Sequence, residues 1–159
     1  MRTRSTGFSL IELLIVVAII LIIAAIAIPN LLKSRMAANQ ASAVESLRTI
    51  ISVEVTYSST YNQGYTSNLA QLAFPASGSA NSSAAGLIDS VLAGGSKSGY
   101  TFTYAASAAV NGSTTNYTVN ADPVNPGMTG QNHYYADASG VIRLNTSATA
   151  SASDSPIGG

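Results

Sequence analysis

The pattern of apolar and polar residues changes abruptly near the N-terminus. A polar segment, residues 1–7, is followed by a stretch from Phe8 to Ile28 in which only Ser9 and Glu12 are polar. At about 1.5 Å per residue, a helix of this length spans about 30 Å, the thickness of the hydrocarbon core of a bilayer. The many Ile and Val residues favour a strand by propensity. A strand of this length is abnormal, however, and lipid requires a backbone whose hydrogen bonds are satisfied within the segment, so the pattern predicts a transmembrane helix over residues 8–28.

A second pattern follows Pro29, where apolar residues recur at helical spacing. It predicts that the helix continues over residues 29–57 and packs one apolar stripe against a globular head, while charged residues, Glu54 among them, occupy the other faces. Because proline has no N–H and clashes with the carbonyl four residues before it, a kink or melted stretch is expected at Pro29, across Ala25–Ile28. The residues assigned to the stripe are Leu32, Met36, Val44, Leu47, Ile51 and Val55.

The remainder of the chain predicts short elements and a sheet. Residues 58–98 are rich in Ser, Asn and Gly, and predict an irregular segment with short helices near Asn68–Ala73 and Ala84–Ala93. Alternation of apolar and polar residues over 99–145 predicts a four-stranded antiparallel sheet, and the Ser- and Ala-rich residues 146–159 predict a flexible tail. The predicted fold is therefore α+β, with one long helix packed on the sheet. The four strands are placed at Tyr100–Tyr104, Tyr117–Ala121, His133–Asp137 and Gly140–Asn145.

Composition excludes several classes of function. Only 9% of the residues are charged, with seven Lys and Arg against seven Asp and Glu, so no basic surface for nucleic acid is indicated. There is no cysteine, and His133 is the only histidine, so neither a thiolate metal site nor a catalytic triad is predicted. The sequence thus predicts no enzyme, no cofactor and no metal site. Oxygen ligands for calcium are available, but without EF-hand spacing, at Asp122, Asn125, Asp137 and Asp154.

Three interpretations of the N-terminal stretch compete. It is a plain membrane anchor, a secretory signal peptide cut after Ala27, or a segment that stays in the product after a cut that precedes it. Glu12 bears on the choice, because a carboxylate in a membrane helix costs about 2.5–3.5 kcal/mol on insertion scales, and a disposable signal peptide has no use for it. The alternative is that Glu12 lies near the helix end and reaches the interface, where the cost is small.

Two N-terminal segments resemble the processing and assembly signature of type IV pilins and of the related type II secretion pseudopilins. They are residues 7–18, with sequence GFSLIELLIVVA, and residues 24–30, with sequence AAIAIPN. The resemblance implies that a prepilin peptidase cuts between Gly7 and Phe8 on the cytoplasmic side of the inner membrane and methylates the new amine of Phe8. It also implies that residues 1–7 are the leader, that Glu12 serves subunit addition, and that assembly machinery polymerises the chain.

The charges fit that resemblance. After cleavage the Phe8 amine carries a positive charge at a helix N-terminus, and Glu12 lies one turn along. In a staggered stack of such helices, Glu12 of one subunit can meet the Phe8 amine of its neighbour. Such a pair sets the axial register more than it adds stability, because an unpaired buried charge is strongly penalised. One departure concerns helix melting, since Leu21 stands where many relatives have a glycine.

Three functional hypotheses follow. The chain is a type IV pilus subunit that polymerises with itself, a pseudopilin of a secretion machine, or a soluble secreted protein with signal cleavage after Ala27. The lack of a catalytic constellation, together with Gly7 and Glu12, counts against the third. The Ser- and Gly-rich middle favours the pilin, while major or minor status and the use of the filament stay open.

Overall fold

The computed structural model of the chain describes residues 8–158. Its longest element is helix α1, Leu10–Tyr61. The helix ends where Asn62 takes a left-handed backbone conformation with φ of 53° and donates its N–H to the Ser58 carbonyl, an arrangement that terminates many helices. The chain divides into two compact units at Arg35 and Met36. The second unit, the head, holds the second half of α1 and every strand.

The head half of α1 buries a stripe that differs from the predicted one. Ala43, Leu47, Ile50 and Tyr57 are buried, whereas Val55, which was placed on the stripe, is 58% exposed. The buried positions recur at intervals of three, four and seven residues, as one face of a helix requires. Glu54 lies at helical spacing between Ile50 and Tyr57 and is buried on the same face. The prediction that Glu54 occupies another face is therefore wrong.

The sheet of the head is an antiparallel meander of six strands in sequence order. The inner faces of the three central strands, which carry Tyr100, Phe102, Tyr117, Val119 and Tyr134, pack with the helix stripe in one core. The predicted α+β fold is confirmed, and the four predicted strands gain a two-residue strand at each edge. The strands are β1 Ser96–Lys97, β2 Tyr100–Ala106, β3 Tyr117–Pro123, β4 His133–Asp137, β5 Arg143–Asn145 and β6 Ser155–Pro156.

Between α1 and the sheet lie two short helices. A 3₁₀ helix, Leu69–Leu72, lies within the predicted range. Helix α2 covers only Ser90–Ala93, because the side chain of Asp89 accepts hydrogen bonds from the N–H groups of Val91 and Leu92 and so starts the helix there. The part of the predicted helix before Asp89 is instead an irregular segment that lies against residues 71–73, with Leu87 and Ile88 donating to the Leu72 carbonyl.

Glu54 is the one charged residue that is fully buried among those the structure describes, with 0% exposure. Its carboxylate accepts hydrogen bonds from the Thr66 N–H at 3.0 Å and from the Thr66 hydroxyl at 2.5 Å. The Tyr104 hydroxyl lies 2.9 Å from both the carboxylate and the Thr66 carbonyl oxygen. Burial raises the pKa of Tyr104, and the Glu54 carboxylate adds to the effect, so this phenol stays protonated and donates. Glu54 therefore ties α1 to the following loop and to β2.

The C-terminal segment is a second correction. Residues 146–159 are predicted to form a flexible tail, but within the described part of this range, up to residue 158, β6 pairs with β5. Asn120 of β3 donates a side-chain N–H to the Ala150 carbonyl at 2.7 Å, and Arg143 donates to the Asp154 carbonyl at 2.9 Å. Ala150 itself is only 4% exposed. Composition failed here because the partners of the segment are polar side chains of the sheet, which a count of apolar residues does not register.

Replacing Glu54 with Leu should lower the free energy of unfolding by about 3 kcal/mol, because the buried Thr66 N–H loses its acceptor. Glu54→Gln should have an intermediate effect, since it keeps the size but turns one acceptor into a donor. The measurement is denaturant unfolding of the full chain in detergent micelles, and the near-ultraviolet circular dichroism of its tyrosines monitors the unfolding. Glu45→Leu, at an exposed site of the same helix, should change the value by less than about 0.5 kcal/mol. Equal effects at the two positions would contradict the role given to Glu54.

Asp89 should make the head sensitive to acid. The Leu92 N–H, then the Lys97 ammonium group, hold the pKa of this carboxyl below its usual value. A lowered folded-state pKa stabilises the fold above the unfolded pKa of about 3.9, and that contribution is lost as the pH falls through the folded value. Asp89→Ala should cost about 1 kcal/mol at pH 7, as loss of an N-cap does. Asp89→Asn keeps the cap, and its unfolding free energy should fall less than that of the wild type between about pH 5 and pH 2. An identical acid dependence in the two proteins would exclude Asp89 as the cause.

Candidate functional site

Among the residues that the structure describes, 8–158, little covers the apolar first half of α1. Every side chain from Phe8 to Ile23 is exposed, and Ile26 and Ile28 are 64% and 66% exposed. Burial of apolar surface is worth about 25 cal/mol per Å², so such a surface is unstable in water. The helix is long and apolar enough to cross a membrane. This segment therefore needs lipid or other apolar helices around it.

The start of this helix is capped by its own side chain. Ser9 is the residue before the first helical position, and its carbonyl accepts the N–H of Leu13 at 3.2 Å. The N–H of Ser9 in turn donates to Oε2 of Glu12 at 3.0 Å. A Ser followed three residues later by a Glu is the spacing of a capping box, in which the acid returns to the N–H of the capping residue. The acid predicted for assembly thus lies at the first turn and points back toward the N-terminus.

The Glu12 carboxylate keeps its charge unpaired within the described part of the chain. No Lys, Arg or His of residues 8–158 forms an ion pair with it. Its Ser9 partner is a neutral donor, which satisfies one oxygen without cancelling the charge. Phe8, the predicted new N-terminus, is 80% exposed and precedes the helix. Gly7, the other half of the predicted cleavage site, lies outside the described residues.

Pro29 lies inside α1, and helical structure continues through it. Proline offers no N–H to the carbonyl of Ala25, so one helical hydrogen bond is missing at this point. The melted stretch predicted for Ala25–Ile28 is not present in the single chain, where these residues are helical. A kink at Pro29 stays a prediction for the assembled state, where neighbouring helices act on the weak point.

The other candidate residues are engaged within the head. His133 Nδ1 lies 2.5 Å from Asp122 Oδ1, across the β3–β4 pair. Asp137 accepts from the Ser139 N–H at 2.9 Å, and Asp154 accepts from the Ser151 N–H at 2.7 Å. No group of three or more acidic or histidine side chains that could hold a metal ion occurs among residues 8–158. The carboxylates considered as calcium ligands are therefore used in turns and strand pairing.

The chain is similar in sequence to one protein family and to two type IV pilins, and the family match lies in the N-terminal helix. Residues 2–28 match the family described as the prokaryotic N-terminal methylation motif. Over 69 residues, 43% of the chain, it is 46% identical to the type IV wide pilus major component PilA4 of Thermus thermophilus. Over 54 residues, 34% of the chain, it is 46% identical to the type IV major pilin protein PilA of Myxococcus xanthus.

These matches cover part of each protein. The matched region spans 52% of the Thermus protein and 24% of the Myxococcus protein. No solved structure matches the chain. The resemblance to type IV pilins is confirmed, and it rests most firmly on the segment that carries Phe8, Glu12 and the apolar helix.

The sequence predicts a cation of a neighbouring chain as the partner of Glu12, and it does not predict the contact with the Ser9 N–H. The signal was present, since Ser9 and Glu12 stand three residues apart just before an apolar run.

Proposed function

We propose that the chain is the structural subunit of a type IV pilus, a filament polymerised from the inner membrane onto the cell surface. The observation that carries the proposal is an apolar helix, exposed at nearly every position from Phe8 to Ile28, with one acid, Glu12, at its first turn. The match of residues 2–28 to the N-terminal methylation motif supports it, because that segment includes Gly7, Phe8 and Glu12, the residues proposed for cleavage, methylation and assembly.

Processing precedes assembly in this proposal. The prepilin peptidase removes residues 1–7 by cutting between Gly7 and Phe8, and then methylates the amine of Phe8. Until assembly the helix spans the inner membrane once, with its N-terminus on the cytoplasmic side. The head, residues 36–158, carries no cofactor and performs no reaction.

Assembly transfers the helix from lipid into contact with copies of itself. Since lipid is as apolar as the helix, the transfer gains little from the hydrophobic effect, and packing and charge pairing must favour the filament instead. An ion pair between Glu12 and the Phe8 amine of a neighbouring subunit meets this need. Contacts of this kind join two different surfaces of each subunit, and repeat as an open helix rather than a closed ring. The assembly machinery supplies the work of extraction.

The processing step is tested on protein from its native host. The expected product in sheared cell-surface material has a mass and an N-terminal sequence that begin at N-methylated Phe8. The same product confined to the membrane would assign the chain to the pseudopilins of a secretion machine. A product that begins at Ile28 and is free in the medium would overturn the proposal in favour of a soluble secreted protein.

Glu12→Leu tests the role of the acid. The variant should enter the membrane and be processed normally, because the substitution makes the helix more apolar. Its yield of sheared filaments should fall at least tenfold, since the Phe8 amine of the neighbour would be left without a partner, and removing one member of a buried pair costs about 3–5 kcal/mol. Glu45→Leu, which removes a charge at an exposed site of the same helix, is the control. Normal filament yield from Glu12→Leu would exclude this acid from assembly.

A further inference from the structure

The Glu12 side chain is fixed on one of its two oxygens. Oε2 accepts the Ser9 N–H at 3.0 Å, while no donor within residues 8–158 hydrogen-bonds Oε1. The first turn of α1 is closed by the bond from the Leu13 N–H to the Ser9 carbonyl. The two bonds share Ser9, whose carbonyl closes the first turn of the helix and whose N–H holds the acid.

We infer that the backbone N–H of Ser9 is a positioning group for assembly: it holds Glu12 Oε2, so that Oε1 faces outward to accept the Phe8 amine of a neighbouring subunit. The inference rests on the proposed function, and adds to it a second group in the same chain. It also assigns different roles to the two carboxylate oxygens.

The charge of the carboxylate and the entropy of its side chain both support different roles for the two oxygens of Glu12. The amide is neutral, so the bond leaves the full negative charge of Glu12 available to a cation. A free glutamate side chain loses rotamer entropy when it is fixed. In the capped helix that loss has already occurred before a second subunit arrives, and pre-ordered groups bind more tightly for this reason. The exposed N–H groups of the first turn favour the same location for an anion.

The backbone of Ser9, rather than its hydroxyl, makes the contact. No hydrogen bond of the Ser9 side chain occurs within the described range of the chain, 8–158, whereas its N–H is used. Two substitutions at one position therefore separate the groups. Ser9→Ala removes the hydroxyl and keeps the N–H, and Ser9→Pro removes the N–H as well. Proline also restrains the residue before it to extended conformations, and Phe8 already lies outside the helix.

The test compares the two variants as full chains in the native host. Processed protein in the membrane is measured by N-terminal sequencing, and filaments are measured in sheared material. Both variants should yield membrane protein that begins at Phe8. The filament yield of Ser9→Pro should be at least tenfold below that of Ser9→Ala. Equal filament yields from the two variants, whether both are high or both are low, would overturn the inference.

A second measurement does not depend on how the variants are processed. In the processed wild-type chain in detergent micelles, the nitrogen and proton resonances of the Ser9 amide should shift as the Glu12 carboxylate titrates. The shift should be absent in Glu12→Leu. A Ser9 amide that ignores the carboxylate would exclude the contact, even if the wild type forms filaments. Wild type that forms no filaments would instead reject the proposed function, so the two failures are distinguishable.

Discussion

The structure depends on one constraint, that the apolar first half of α1 must be surrounded by apolar matter. From Phe8 to Ile28 the chain presents apolar side chains on every face of the helix, and they have little cover from the residues that the structure describes, 8–158. In the proposed function, membrane and filament both meet the requirement, so apolar burial alone cannot direct the subunit from one to the other. The direction would then come from the two features that distinguish these surroundings, helix packing and the fate of the single charge, Glu12. Under this proposal, a residue that is unfavourable in lipid is for this reason useful in assembly.

The head solves a different problem, because it must be stable without disulfides. Its chain has no cysteine and few charges, and its junctions are made by polar groups placed in the core or beside the sheet. Glu54 joins α1 to Thr66 and Tyr104, which lie 12 and 50 residues further along the chain. Asn120 performs a similar task for the C-terminal segment. Buried polar groups of this kind stabilise a fold only when every donor and acceptor is matched, so they also specify one arrangement of the elements.

The sequence predicts the parts of the fold that follow from periodicity. The long helix and the strands that begin at Tyr100 and Tyr117 stand where alternation and helical spacing put them. Two of the misses, Glu54 and the C-terminal segment, share a cause, which is that polar residues were assigned to solvent. Glu54 has helical spacing from Ile50 and Tyr57 but was placed outside, because carboxylates are seldom buried. Its donors come from distant segments, and no local pattern announces them.

The candidate site also has one part that the sequence predicts and one part that it does not. Glu12 stands out as a lone acid within an apolar run, and its role in assembly was predicted from the resemblance of this segment to type IV pilins. The Ser9 contact needs only a spacing of three residues, yet that spacing gains meaning once the helix is known to begin at Leu10. If the helix began one turn earlier, Ser9 would lie within it and its N–H would be used by the backbone. The start of α1 therefore decides whether Glu12 is a free charge or an oriented one, and an oriented charge suits the register between identical helices that the proposed function requires.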